Sequence, residues 1–222
     1  MHRAFVLSAA LLGFTFARPA AADIIVDQQP TGTPSDDHVS SHTAPDVPQT
    51  TRGFDDFTLA NSYHLTSFRA YGYDDRTNLN IGNMFVTAEI RSTMGLGGPV
   101  LLSATGTEVG NDLVFDFGGG LLGPGHYWIT AFVTRNFDNG GGTWTWLFHR
   151  PVSGSEAQWQ PGGSGPPFDI GEILDLDDST DLAFRLEGRV APVPAPPAIV
   201  LAGIGLAVVT ARRLRRSAVA TA

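Results

Sequence analysis

An acidic run in the C-terminal third of the chain has the residue types that bind a divalent cation. From Asp169 to Asp181, six of 13 residues are carboxylates. Ca²⁺ takes about six to eight oxygen ligands and often collects several of them from one loop. Asp175, Asp177 and Asp178 have the best spacing for this, although the run lacks the central glycine of an EF-hand loop. The run therefore predicts either a structural calcium site or a solvated acidic loop.

Aromatic side chains supply a second candidate site, because an exposed aromatic ring offers a flat apolar face on which a sugar ring stacks. Trp144, Trp146 and Phe148 alternate along one predicted strand and therefore share one face. Trp159 lies beside Gly-rich turns. The same aromatic stripe is also typical of the core of a β-sandwich. The sequence thus leaves Trp144 and Trp159 as candidates either for glycan stacking or for the core.

Sequence motifs for catalysis are missing from the chain. It has no Gly-x-Ser-x-Gly, no His-Glu-x-x-His and no phosphate-binding loop. It also has no Cys and no Lys, which excludes disulfides, thiolate catalysis, Cys-ligated metals and Lys Schiff bases. Asp55 and Asp56 are adjacent in a predicted strand, so their side chains point to opposite faces and cannot act as a pair. We predict a protein without catalytic residues, while noting that the paired carboxylates of a glycosidase come from distant strands and leave no motif.

Composition and charge narrow the function classes further. The chain has 222 residues, of which 26 are Gly and 15 are Pro, so long helices are disfavoured and many turns are expected. Six of the 14 basic residues, all of them Arg, lie in the end segments 1–22 and 191–222, which leaves eight Arg against 22 acidic residues. The intervening domain therefore carries a formal net charge of −14. A field of this sign disfavours nucleic acid and anionic surfaces as partners, and it is compatible with divalent cations and neutral glycans.

The first 22 residues have the three parts of a secretory signal peptide. Arg3 supplies the positive charge, and Ala4 to Phe16 is an apolar stretch too short for an ordinary membrane span. Three alanines at positions 20–22 supply the small residues that signal peptidase needs, so we predict cleavage after Ala22. The alternative, a buried N-terminal helix, is disfavoured by Pro19 and by the alanine run.

The C-terminal segment predicts a membrane anchor with a defined orientation. No charged residue occurs from Val190 to Ala211, and the compact apolar part of about 15 residues would span roughly 22 Å as a helix. The bilayer core is about 30 Å thick, so we predict a marginal, temporary transmembrane helix over residues 198–211. A cluster of positive residues stays on the cytoplasmic side, which leaves the large domain outside. This cluster consists of Arg212, Arg213, Arg215 and Arg216.

A Pro-rich linker, residues 191–197, precedes the apolar stretch and presents extended backbone to a processing enzyme. The order of linker, apolar helix and Arg cluster resembles the PEP-CTERM sorting signal. The motif here is Val193-Pro194-Ala195-Pro196, with Ala195 where the family usually has Glu. The resemblance implies processing by an exosortase in a Gram-negative bacterium that makes extracellular polysaccharide. The alternative is a plain C-terminal membrane anchor.

Between the two ends the hydropathy pattern predicts strands. Apolar and polar residues alternate with a period of two over Met84 to Arg91, Leu113 to Phe117 and Leu182 to Glu187. His126 to Thr134 is apolar on both faces, which is typical of a central strand. Turn residues separate these runs, including a predicted turn over Gly118 to Gly125, and the polar region from Gln28 to Thr51 is predicted to be a loop or flexible arm without strands. We expect an all-β, antiparallel β-sandwich of jelly-roll type.

The domain between the ends is also similar to one found in many secreted PEP-CTERM proteins. The likeness is carried by Phe54-Asp55-Asp56-Phe57, Phe117-Gly118-Gly119-Gly120 and Pro124-Gly125-His126-Tyr127-Trp128. It implies a fold and an exported address, and it implies no activity. The predicted organisation is a signal peptide (1–22), an N-terminal strand with a polar flexible arm (23–53), the β-sandwich domain (54–190), the linker with the sorting motif (191–197), the transmembrane helix (198–211) and a basic cytoplasmic tail (212–222).

Together these features predict an exported, non-catalytic surface or extracellular-matrix protein. Its expected partners are signal peptidase and exosortase during export, the inner membrane transiently, and extracellular polysaccharide; nucleic acid is not expected. The alternative function is a calcium-assisted carbohydrate-binding module that acts on secreted polysaccharide, with calcium as the cofactor.

Overall fold

The computed structural model describes residues 21–31, 38–43, 50–74, 85–134, 144–150, 152, 154–161, 167–169, 180–192 and 208. Contacts divide the chain into two compact units, residues 1–190 and residues 191–222, and the strands belong to the first unit. Fifteen strands lie within the described ranges: β1 (Asp23–Gln28), β2 (His38–Ser40), β3 (His42–Thr43), β4 (Thr50–Leu59), β5 (Tyr63–Ala70), β6 (Gly72–Asp74), β7 (Phe85–Arg91), β8 (Val100–Val109), β9 (Asp112–Leu122), β10 (Gly125–Thr134), β11 (Trp144–His149), β12 (Gln158–Pro161), β13 (Phe168–Asp169), β14 (Asp181–Leu182) and β15 (Phe184–Val190).

Eleven of these strands form one large sheet, in the order β1-β15-β5-β9-β8-β7-β10-β3-β4-β12-β13. In the small sheet, β11 pairs with β14, β2 and β6. Among the described strands the pairing is antiparallel everywhere except between β3 and β10, which are parallel over two residue pairs. The predicted all-β, antiparallel class is therefore confirmed. The strands are shared unequally between the two sheets, with most of them in one continuous sheet.

Both sheets contribute to one hydrophobic core. The ring centroid of Phe68 on β5 lies 5.4 Å from that of Phe115 in the large sheet and 6.2 Å from that of Trp146 in the small sheet. Burial of a large apolar side chain of this kind contributes about 1.5–3 kcal/mol. These contacts hold the small sheet against the large one and give the domain its sandwich-like packing.

The alternating sequence runs behave as predicted. On all three runs the described apolar residues that were predicted to share one face are buried, and β10 lies between β7 and β4 as expected of a central strand. The buried members are Val86, Ala88 and Ile90 on β7, Leu113, Phe115 and Phe117 on β9, and Leu182, Phe184 and Leu186 on β14 and β15.

The prediction of a strandless arm from Gln28 to Thr51 is wrong in part. The structure has two short strands there, β2 and β3, with the fully buried Ser41 between them. Ser41 N donates to Trp144 O of the small sheet at 3.2 Å, while Val133 N of the large sheet donates to Ser41 O at 3.3 Å. Its hydroxyl donates to Ala131 O at 2.5 Å. This segment therefore links the two sheets, and a polar residue is required there because buried backbone groups need partners.

The predicted turn over Gly118 to Gly125 is also wrong in part, since β9 continues to Leu122. Opposite Thr66 of β5, β9 has three residues in place of one, which makes a β-bulge. Gly118 and Gly119 lie in this bulge with φ angles of 62° and 78°, a conformation that glycine adopts without steric penalty. The glycines thus bend a strand instead of ending it.

Several predicted segments lie outside the described residues. They include most of the signal peptide (1–20), most of the tail (193–207 and 209–222) and the acidic loop (170–179). Within the described ranges, no helix is long and apolar enough to cross a membrane.

Candidate functional site

Three groups of predicted site residues fall outside the described part of the chain, and their roles stay predictions. They are the calcium candidates Asp175, Asp177 and Asp178, the sorting motif Val193, Pro194, Ala195 and Pro196, and the orientation cluster Arg212, Arg213, Arg215 and Arg216. Among the residues that the structure does describe, no group of three or more His, Asp or Glu side chains is placed to hold a metal ion.

Trp144 is fully buried in the core, together with Trp146. The indole Nε1 of Trp144 donates to Asn111 O at 2.9 Å, and that of Trp146 donates to Ala183 O at 2.7 Å. Gly72 lies so close that a Cβ at this position would be 2.2 Å from the indole of Trp144. Of the two alternatives for Trp144, the structure has the core position, and its ring has no face free for a sugar.

Trp159 on β12 keeps part of its surface accessible while packing against the core. Its Nε1 donates to Ser40 O at 3.2 Å, so the indole also ties β12 to the segment that links the sheets. Its cross-strand partner is Phe168, of which 41% is exposed. The two residues form an aromatic edge, and glycan stacking at Trp159 stays a prediction.

Asp55 and Asp56 have separate partners, in agreement with the prediction that they face opposite ways. Asp55 is fully buried and accepts hydrogen bonds from Leu182 N and from Asp56 N, both at 2.8 Å. Burial raises the pKa of Asp55 well above 3.8, and the negative charge of Asp181 raises it further, against smaller lowering effects of the two backbone donors. Asp181 is also fully buried and accepts a hydrogen bond from Gln28 Nε2 at 3.1 Å. Asp55 thus joins β4 to β14 through the hydrogen bond that it accepts from Leu182 N.

Asp56 forms a carboxylate–imidazole pair that the sequence did not reveal. Its Oδ2 contacts Nε2 of His126, and its Oδ1 accepts from Ser155 N at 2.8 Å. The Asp56 carboxylate is almost fully buried, whereas 46% of the His126 side chain is exposed and its ring packs edge-on to Trp128. Such a pair fixes the orientation of the imidazole, leaving Nδ1 as its other nitrogen. The same contacts also clamp β4, β10 and the turn before β12, which is a structural use of the pair.

A groove of about 740 Å³ crosses β5, β8 and β9 on the face of the large sheet that points away from the core. We call it the outer-face groove. A smaller cavity of about 310 Å³ adjoins it over β5 and β15 and shares Ser67 and Val114 with it. The polar side chains that line the outer-face groove are Thr66, Ser67, Thr105, Thr107, Asp116 and Arg189.

The smaller cavity is lined by charges that already have partners. Ser67 Oγ donates to Glu187 Oε2 at 2.8 Å, and Arg185 Nε donates to Glu187 Oε1 at 2.7 Å. The hydrogen bond from Ser67 is the main cause that lowers the pKa of Glu187. Arg69 pairs with Asp112 at 3.0 Å. These groups hold one another in place, so little polar capacity remains here for a ligand.

The outer-face groove differs, because exposed polar groups line it. The side chains of Thr105, Thr107 and Arg189 are exposed, and Arg189 makes no ion pair within the described part of the chain; the Oγ1 of Thr66, which makes no hydrogen bond there, is itself buried. Gly106 pairs with Phe115, and a Cβ at this position would lie 2.4 Å from the buried Phe115 ring, so this glycine makes room for the core beneath the groove. The arrangement offers hydroxyl, carboxylate and guanidinium groups above an apolar floor, which suits a ligand that has both hydroxyl groups and C–H faces.

Comparison with known proteins identifies no family for this chain. No protein-family model matches it, and no curated protein sequence matches it. The groove could not be predicted from the sequence, because it depends on which strands become neighbours. The visible signal for it was the glycine run that contains the bulge residues Gly118 and Gly119, and such a run also fits a turn.

Proposed function

We propose that this protein is exported, is processed at both ends, and acts without catalysis at the cell surface or in the extracellular matrix. One observation carries the proposal: the Pro-rich linker, the apolar stretch and the Arg cluster follow one another at the C-terminal end, behind a domain of net charge −14. The positive cluster orients the tail, and the linker offers accessible backbone for cleavage.

The proposal has four finer parts. Signal peptidase cleaves after Ala22, residues 198–211 form a single transmembrane helix, and an exosortase acts at the motif Val193 to Pro196. The domain is a jelly-roll-like β-sandwich that leaves the inner membrane once the tail is processed. The all-β, antiparallel class and the packing of two sheets on one core support the β-sandwich in this last part.

The intact mass of the protein from its native host tests the processing. We expect mature material that starts at Asp23 and lacks the Arg cluster. Replacement of Pro194 and Pro196 by Ala should leave a correctly oriented membrane form that keeps the cluster, whereas neutral residues in place of the four Arg should give a misoriented or translocated tail. Mature parent protein that retains the Arg-rich tail would contradict exosortase processing.

A second candidate function, carbohydrate binding, is favoured by the outer-face groove. Sugars present many hydroxyl groups that both donate and accept, and the groove offers the exposed hydroxyls of Thr105 and Thr107 together with Asp116 and Arg189. The net negative charge of the domain favours a neutral polysaccharide over an acidic one. Calcium would assist from the acidic loop with Asp175, Asp177 and Asp178, and not from the groove itself.

Glycan-array binding with and without a chelator tests this second function. We expect binding to a neutral polysaccharide that falls when Asp116→Asn or Thr105→Val alters the groove. Thr58→Val, at an exposed position on β4, is the matched control and should bind like the parent. A calcium-dependent rise in melting temperature would support the calcium site. No binding to any glycan, or equal binding by the groove variants and the control, would leave the structural role alone.

A further inference from the structure

The two ends of the folded domain meet at one end of the large sheet. β1 begins at Asp23, which pairs with Gly188, and β15 ends two residues later at Val190. Because these neighbouring strands are antiparallel, the chain enters the sheet at Asp23 and leaves it at Val190 on the same side. The predicted signal-peptide junction and the predicted tail therefore connect to neighbouring points of the domain.

Antiparallel register defines the rest of this end of the sheet. Val190 pairs with Tyr63, Tyr63 pairs with Leu122, and Arg91 pairs with Val100. Leu59 and Gly125 pair at the same end of β4 and β10. We call this end the terminal rim and define it as residues 21–24, 59–64, 91–102, 119–128 and 188–190.

The terminal rim holds most of the exposed large apolar side chains of the described domain. Six of the ten that the described part of residues 1–190 contains are located there. Their exposed fractions range from 37% to 57%. They are Ile24, Met94, Val100, Leu101, Leu121 and Val190. Single exposed apolar residues need no explanation, but their concentration at one end marks a surface that meets an apolar or interfacial partner.

The terminal rim has very few acidic residues, unlike the domain as a whole. Of all the residues in the rim, only Asp23 is acidic, although the domain as a whole carries −14. The rim also holds the exposed Arg189 and the half-buried His64, whose Nδ1 donates to Gly119 O at 2.9 Å. The acidic side chains Glu108 and Asp112 lie at the far end of β8 and β9.

We propose that the terminal rim is the surface with which the anchored domain lies against a lipid bilayer. The inference rests on the proposed function, because the membrane anchor supplies the tether. Apolar side chains enter the interfacial region, Arg189 meets lipid phosphates, and the lack of carboxylates avoids repulsion by anionic headgroups. The contact can be weak, since a tether that leaves the domain at the rim gives a high effective concentration. Cleavage of the tail would then also release the rim from the bilayer.

Single-cysteine labelling tests the orientation, and the chain has no native Cys to interfere. Full-length Leu121→Cys protein, labelled with an environment-sensitive fluorophore, is reconstituted into vesicles of phosphatidylethanolamine and phosphatidylglycerol. Val109→Cys is the matched control, because Val109 is similarly exposed (52% against 57%) and lies at the opposite end of the neighbouring strand. Leu101→Cys and Phe85→Cys form a second pair of the same design. A further probe at Leu206→Cys reports whether the tail itself is inserted.

We expect lipid-attached quenchers to reduce the fluorescence at positions 121 and 101 several-fold more than at positions 109 and 85. If the tail probe is inserted and both members of each pair are quenched equally, the rim does not face the membrane, while the anchor stands. If the tail probe is not inserted, the proposed anchor is wrong, and the inference about the rim is overturned with it.

Discussion

Replacement of Asp55 by Asn should change how the stability of the domain depends on pH. The folded carboxyl has a pKa well above 3.8, because it is fully buried and close to Asp181. It therefore holds its proton at pH values where the unfolded chain has lost it. Because the folded state then binds more protons than the unfolded state, this group makes the free energy of unfolding fall as the pH rises above about 4.

The size of the effect follows from proton linkage. As long as the pH lies between the unfolded and the folded pKa, each pH unit lowers the free energy of unfolding by up to about 1.4 kcal/mol. Two pH units within that interval would lower it by about 3 kcal/mol, a large fraction of the stability of an ordinary domain, about 5–15 kcal/mol. Asn has no proton to lose, so Asp55→Asn removes this slope. Its amide leaves either Leu182 N or Asp56 N without an acceptor, which costs about 1–3 kcal/mol at every pH.

Urea unfolding followed by tryptophan fluorescence, repeated from pH 4 to pH 7, measures the difference. Asp55→Asn should be less stable than the parent at pH 4, and the gap should close or reverse towards pH 7. Asp181→Asn should also flatten the slope, because its charge is the second cause of the raised pKa. Asp23→Asn, at an exposed position, is the control for the loss of one carboxylate. A constant gap between Asp55→Asn and the parent over this pH range would refute the reasoning.

Three further substitutions test particular contacts of the fold by urea unfolding. Gly72→Ala should destabilise the domain by about 1–3 kcal/mol, because the new Cβ would overlap the buried indole of Trp144; an unchanged midpoint would contradict that packing. Gly119→Ala should lower the free energy of unfolding by about 1–2 kcal/mol through its φ of 78° alone, since the space around it is open. Gly123→Ala is the control: this glycine also lies in open space but has no positive φ, so its replacement should destabilise the domain less. Arg91→Met should loosen the loop between β7 and β8, because the guanidinium donates to three of its carbonyls; faster amide hydrogen exchange there checks this, and unchanged exchange would contradict it.

The sequence predicts those parts of the fold that depend on neighbouring residues. The alternation on β7 and β9 and the two apolar faces of β10 were sufficient, because a strand with one or two buried faces shows its pattern locally. β8 has no such pattern: Gly106 interrupts it, and several apolar side chains of this strand are exposed. Ser41 was missed for the opposite reason, because a buried residue that satisfies backbone groups is polar and looks like loop.

The candidate sites were harder to predict, because their residues meet only in the folded chain. Asp55 and Asp181 are far apart in sequence, as are Asp56 and His126, and neither pair has a recognisable spacing. The role of Trp144 could not be predicted from the alternation of aromatic residues along β11, because a buried core face and an exposed sugar-binding face both place aromatic residues at every second position. The bulge at Gly118 and Gly119 shows why a glycine run is ambiguous: positive φ serves a turn and a bulge equally well.

The net charge of the domain and the proposed membrane contact at the terminal rim appear to conflict, and the fold resolves this. A charge of −14 argues against anionic surfaces only if it acts over the whole molecule. Glu108 lies eight residues along β8 from Val100, a distance of about 26 Å at about 3.3 Å per residue. The Debye length at physiological ionic strength is about 8 Å, so carboxylates at the far end are screened from a bilayer at the rim. The carboxylates next to the rim, Glu187 and Glu89, lie within that length, but each is paired with an arginine, Arg185 and Arg91 respectively. The local charge at the rim is therefore far less negative than −14, as the proposed contact with a bilayer requires.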